Sequence, residues 1–180
     1  MRFDRPDVRN SLSTDVIDRL LSLLDDLDQS SVSKIVFTGS GDAFASGANL
    51  REINGLTPNT ARAFAGRGQR LMNKIDGLPI LSIAAVNGYC FGGGLDLALA
   101  CKKRIASPTA LFCHPGVDLG IITGWGGTQR LPRLIGEPRA MEMLLTAARI
   151  SAVEALEIGL VDSISENALL AALECPVDNM

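Results

Sequence analysis

The run Tyr89-Cys90-Phe91-Gly92-Gly93-Gly94-Leu95-Asp96-Leu97 lies between the apolar stretch 80–86 and Ala98-Leu99-Ala100. An extended run, a turn without side chains and then a helix leave backbone N–H groups free at a helix N-terminus, where they can hold a negatively charged oxygen. A second loop of small residues, Phe44-Ala45-Ser46-Gly47-Ala48-Asn49, follows the strand-like run 34–38 and offers another N–H. Two such donors converging on one carbonyl oxygen would stabilise the negative charge that develops on it. Asp96 follows the glycines by one residue. It reads either as a base or water ligand beside that oxyanion, or as a first-turn acid favoured by the helix dipole by about 0.3–1 kcal/mol. His114, the only histidine, has two readings as well: a packing or hydrogen-bonding residue at a strand end, or an acid–base group with an unperturbed pKa of about 6.5.

The elements that must position these groups are legible in the pattern. Leu12, Val16, Ile17, Leu20, Leu23, Leu24 and Leu27 recur at helical spacing, with Ser13 as N-cap and Asp15 in the first turn, and this helix is expected to end near Asp28. A strand over 34–38 follows, then a turn at 39–42 and the Ala48 loop. A helix over 60–75 contains Gly66 and Gly68, each costing about 1 kcal/mol relative to alanine. Next come a strand over 80–86, a helix over 93–101, and strands over 103–106 and 110–113. Ser151 with Glu154 forms a capping box for a short helix that Gly159 closes. In 124–134, Gly126-Gly127 predicts a tight turn into a helix with Thr128 near its N-cap, while Gln129 and Arg130 pack or bridge neighbouring elements. This βαβα alternation predicts an α/β fold.

Composition sets the boundaries. The 180 residues are 47% hydrophobic with a net charge of -3, which is one domain's worth of chain with a sizeable core and no electrostatic signature of nucleic-acid binding. No apolar run approaches the length of a membrane span, and residues 1–6 carry no apolar signal region, so the expectation is a cytoplasmic protein. The four cysteines, Cys90, Cys101, Cys113 and Cys175, lack metal or redox spacing and read as small buried hydrophobes.

Four segments in order carry a resemblance. Arg5-Pro6 with Asn10, Ala43 to Leu50, Gly88 to Gly94, and Gly124-Trp125-Gly126-Gly127-Thr128-Gln129-Arg130-Leu131-Pro132-Arg133-Leu134 together resemble the enoyl-CoA hydratase/isomerase (crotonase) family, over about residues 3–165. The resemblance implies a spiral of ββα turns over a core domain 1–165, with part of the N-terminal hairpin missing. It also implies a short C-terminal tail, 166–180, in place of the family's helical trimerisation segment. It implies an acyl-CoA thioester as substrate, no cofactor beyond the coenzyme A of that substrate, and a homo-oligomer, a trimer or a dimer of trimers.

The same resemblance assigns residues. The N–H groups of Ala48 and Gly93 form the oxyanion hole, and Ala48, Asn49, Leu50 and Arg51 contact coenzyme A, although Asn49 replaces a usual aspartate and Arg51 also reads as a solvated charge. Hydratases of the family hold water between two carboxylates. Asp96 stands at the first of these positions, one methylene shorter than the usual glutamate. Gly116 stands at the second, so that carboxylate is missing, and Asp118 two residues on reads as structural. Three consequences remain open: a hydratase in ancestry that is slow or inactive, a one-base isomerase, or bicarbonate recruitment, as in dihydroxynaphthoyl-CoA synthases with glycine at this position; loss of the carboxylate also leaves open a non-catalytic acyl-CoA-binding relative. Trp125 replaces an acid typical of dienoyl-CoA isomerases. A glutamate restored at 116 is expected to raise hydratase activity.

Overall fold

A computed structural model describes residues 1–28 and 30–177. The elements run β1 (Arg2–Phe3), α1 (Thr14–Asp25), β2 (Lys34–Gly39), β3 (Ala43–Ala45), α2 (Leu50–Asn54), α3 (Pro58–Asp76), β4 (Leu81–Val86), β5 (Tyr89–Phe91) and α4 (Gly93–Ala100). They continue with β6 (Lys103–Ala106), β7 (Leu111–Cys113), α5 (Gly127–Ile135), α6 (Glu137–Thr146), β8 (Ile150–Ser151), α7 (Ala152–Glu157), β9 (Ser163–Ile164) and α8 (Ala168–Glu174). Short 3-10 turns cover Pro6–Val8 and Val117–Leu119.

Two sheets result. One is parallel throughout, in the order β1-β2-β4-β6-β9; the other runs β3-β5-β7-β8, with only β8 antiparallel. Successive passes of the chain place one strand in each sheet before a helix, as in β2–β3–α2–α3 and β4–β5–α4, which is the expected ββα spiral. Every residue of β4 is buried because α4 packs on one side and α8 on the other. That two-sided burial explains why the strand reads as a continuous apolar run.

Ser13 caps α1 by accepting from the Val16 N–H, and Ile17, Leu20, Leu21 and Leu24 face the core. The helix stops at Asp25, short of the expected end, because Asp25 and Asp26 oppose the negative end of the helix dipole. Asn10 is buried, and its amide donates to the carbonyls of Ser40 and Ala43 while its oxygen accepts from the Arg5 N–H. It thus fixes the entrance to β3. Three of the expected buried cysteines lie in the interior; Cys175 is half-buried. Residues 168–174 of the segment expected as a tail form α8, whose Ala168 and Ala172 pack on Val36, Leu81, Ile83 and Ile105. Residues 178–180 of that segment lie outside the described residues.

The two glycines of α3 differ in environment. Nothing lies within 4 Å of a Cβ built on exposed Gly66, whereas one on Gly68 would fall 2.2 Å from the Trp125 ring. Gly66→Ala is therefore expected to raise stability by about 1 kcal/mol through helix propensity. Gly68→Ala is expected to lower it by about 1–3 kcal/mol despite the same propensity gain, because the indole must move. Urea unfolding of the two variants checks the opposite signs.

Candidate active site

The glycines bring two backbone loops into contact. Gly92, at φ +50 and ψ -118, turns β5 into α4, and Gly47 has φ +98 in the loop after β3. A Cβ on Gly47 would lie 2.8 Å from the Phe91 carbonyl oxygen and 3.0 Å from the Gly93 nitrogen; one on Gly93 would lie 3.3 Å from the Ala48 nitrogen. Side chains here would force the loops apart. Gly93 opens α4, so its N–H has no carbonyl partner within the helix. Ala48 and Gly93 both line a cleft of about 270 Å³, together with Asp96, His114, Gly116 and Trp125.

Asp96 is 1% exposed on the first turn of α4. Its Oδ2 accepts a hydrogen bond from the Thr123 hydroxyl. Burial pushes the carboxyl up to about 6, against the pull of the Thr123 hydroxyl, the Trp125 N–H, the Arg130 charge and the Gly127 N–H. His114, 2% exposed at the end of β7, places Nε2 3.7 Å from Asp96 Oδ1. Burial pushes the imidazole down to about 4. An ion pair would need an ionised Asp96 and a protonated His114 together. With the carboxyl titrating above the imidazole, that state is not favoured at any pH, and near neutrality an ionised Asp96 faces a neutral ring.

Trp125 closes one wall. Its six-membered ring edge lies against Gly93 and its pyrrole edge against Gly68, and the ring centroid is 5.6 Å from that of Phe64. Gly126, at φ +117, is the residue that caps α5, and Thr128 stands near it in the first turn, as expected: the positive φ that breaks the loop belongs to glycine. Arg130 bridges α5 to α3, donating to Asn73 Oδ1 at 2.8 Å and to Asp76 Oδ2 at 3.2 Å.

The other expected site residues have plainer places. Asn49 caps α2, its Oδ1 accepting from the Arg51 N–H at 3.0 Å. Leu50 is exposed at the cleft, and Arg51 is exposed on the same short helix. Asp118 is exposed in the 3-10 turn and is not part of the cleft lining. Gly116 is in helical backbone geometry, but a Cβ there would lie 2.7 Å from the Ile121 carbonyl oxygen. Sequence reasoning missed Thr123: its hydroxyl reaches Asp96 across 27 positions, a contact with no local signature.

Solved structures share this spiral. An enoyl-CoA hydratase from Bacillus anthracis superposes with a TM-score of 0.89 at 40% identity, covering 94% of this chain and 66% of that one. An enoyl-CoA hydratase from Thermoplasma volcanium gives a TM-score of 0.88 at 29% identity, covering 93% and 67%. Among curated proteins, the crotonyl-CoA hydratase of Syntrophomonas wolfei is 42% identical over 166 residues, 89% of this chain and 63% of its own length. The enoyl-CoA hydratase/isomerase family profile matches residues 1–173, and the chain belongs to that family. It spans about 63% of the length of the curated relatives it matches.

Proposed function

We propose that the chain is an acyl-CoA enzyme that polarises a thioester carbonyl with the N–H groups of Ala48 and Gly93 and hydrates a 2-enoyl-CoA. The observation that carries this reading is the approach of those two backbone nitrogens over a cleft that holds a buried carboxylate. Donors fixed in a cleft that excludes water stabilise a developing enolate without reorganisation, and each contributes about 100- to 1,000-fold in rate. Asp96, titrating near 6, is ionised at neutral pH and still basic enough to exchange a proton with substrate or water. Leu50 and Arg51 on α2 offer an apolar and a cationic group to the coenzyme A portion of the substrate. Exposed apolar side chains, Met141 and Leu145 on α6 and Val153 and Leu156 on α7, would gain from burial in a homo-oligomer, a trimer or dimer of trimers, in a cytoplasmic setting.

A second reading, double-bond isomerisation, is favoured by one observation: Asp96 is the sole carboxylate in the cleft lining among the described residues. Isomerisation needs only one base to carry a proton between two carbons of the enolate. Turnover of crotonyl-CoA, followed by loss of the enoyl-thioester absorbance with and without bicarbonate, tests the choice. Consumption supports hydration, and dependence on bicarbonate assigns the second carboxylate to an added anion. No consumption, with a 3-enoyl-CoA converted to its 2-enoyl isomer, supports the second reading.

Gly116→Glu now carries a different expectation from the one the sequence alone gives. The Ile121 carbonyl blocks the Cβ, and Ile121 also donates its N–H to the Gly116 carbonyl at 2.9 Å, so the loop must break to admit the side chain. The variant is expected to gain less than about tenfold in crotonyl-CoA turnover, below the 100- to 10,000-fold usual for a positioned acid or base. Its melting temperature is expected to fall. Steady-state kinetics with a thermal melt checks both.

A further inference from the structure

His114 is the only histidine, it is buried at the floor of the cleft, and both of its ring nitrogens lack a hydrogen-bond partner among the described residues. Asp96 Oδ1, the atom it faces, likewise makes no hydrogen bond, the Trp125 and Gly127 N–H groups favouring the charge of the carboxylate without completing one to this oxygen. Buried polar atoms are rarely left so, and Nε2 facing Oδ1 points to a ligand that satisfies both. Their 3.7 Å separation is too long for a direct hydrogen bond. It is short enough for one oxygen atom to sit about 2.8 Å from each. Gly127 borders the gap: a Cβ there would lie 2.2 Å from Asp96 Oδ1 and 2.8 Å from His114 Nε2. A side chain at 127 would therefore collide with both members of the pair, and Gly116 places no carboxylate in the cleft beside them, which leaves His114 as the titratable group that faces Asp96 Oδ1.

We infer that Asp96 and His114 together hold the reacting water, His114 taking the place of the second carboxylate as a catalytic residue. This rests on the hydratase reading above. The water gives one O–H to Asp96 Oδ1 and the other to unprotonated His114 Nε2, so both hydrogens are tied down and a lone pair is presented to C3 of the enoyl thioester. The new C3–O bond forms as the π pair moves to the thioester oxygen. The O–H facing Asp96 breaks, its proton passes to the carboxylate, and the enolate then takes a proton from that carboxyl at C2. His114 neither gains nor loses a proton. Burial fits this role, since it holds the imidazole neutral.

The test separates water addition from proton transfer at carbon. In bicarbonate-free buffer, the chain and its His114→Leu and His114→Gln variants are assayed for crotonyl-CoA hydration. They are also assayed for exchange of the α-protons of butyryl-CoA in D2O, a step that needs Asp96 and the oxyanion donors but no added water. His114→Leu is expected to lose about 100-fold in hydration kcat with KM and α-exchange each within about threefold, the usual size for a reacting group that is no longer held in position. Glutamine, which can still accept a hydrogen bond, is expected to restore about tenfold of that loss. Hydration within threefold of the parent chain in either folded variant, or equal loss of hydration and α-exchange, overturns the assignment. Absence of both reactions in the parent chain overturns the hydratase reading itself.

Discussion

Asp96→Asn is expected to lower the proposed turnover of an enoyl-CoA substrate by about 1,000-fold or more while KM stays within about threefold, the behaviour of a lost proton-transfer group. Asparagine has nearly the shape of aspartate, and its carbonyl can accept from the Thr123 hydroxyl as Oδ2 does now. The thioester contacts assigned to Ala48 and Gly93 come from the backbone and survive the change. What disappears is the capacity to take a proton. The same substitution is expected to stabilise the fold at neutral pH. Burial raises the Asp96 carboxyl from 3.8 to about 6, which corresponds to about 3 kcal/mol spent on holding it ionised. A variant that is more stable and nearly inactive would separate a functional carboxylate from a structural helix acid. Activity within tenfold of the parent chain would remove Asp96 from the mechanism.

Much of the candidate site was legible because the donors proposed for it are backbone groups, and glycine position in a sequence reports backbone. Gly47, Gly92 and Gly93 mark where two loops meet, and Ser13 and the Ser151–Glu154 box mark helix starts that side chains themselves create. The second sheet was less legible. Its strands Ala43–Ala45 and Tyr89–Phe91 are three residues long, too short to show a period, and they exist because the chain returns to pair them in parallel across some 45 positions. The side-chain half of the site depends on the same long-range folding. Thr123 meets Asp96, and Trp125 fits between Gly68 and Gly93, only once α3, α4 and the loop before α5 have packed. Gly68, which local propensity marks as a weakness, is the residue that admits the indole. For His114 the sequence leaves two readings, and the observation that bears on them, its 3.7 Å distance from a residue 18 positions away, is fixed only by the fold.

The opposed shifts of Asp96 and His114 give the pair a pH signature in stability. For Asp96 the folded pKa is raised from 3.8 to about 6, so its contribution is fully present below pH 3.8 and is lost as pH rises through 6. For His114 the folded pKa is lowered from 6.5 to about 4, so its contribution is fully present above pH 6.5 and is lost as pH falls through 4. Each amounts to about 3 kcal/mol for a group buried this deeply. In the parent chain the two nearly cancel between pH 7 and pH 4. Substitution uncovers them one at a time. Relative to the parent chain, Asp96→Asn keeps only the histidine effect and is expected to lose about 3 kcal/mol on going from pH 7 to pH 4, while His114→Leu keeps only the aspartate effect and is expected to gain about 3 kcal/mol. The background from all other groups is common to the variants, so the contrast between their urea-unfolding free energies, about 6 kcal/mol over this range, isolates the pair. Parallel stability curves for the two variants would mean that neither group is held in a buried, shifted state, and a pair of ordinary solvated side chains could not hold a water in the place proposed.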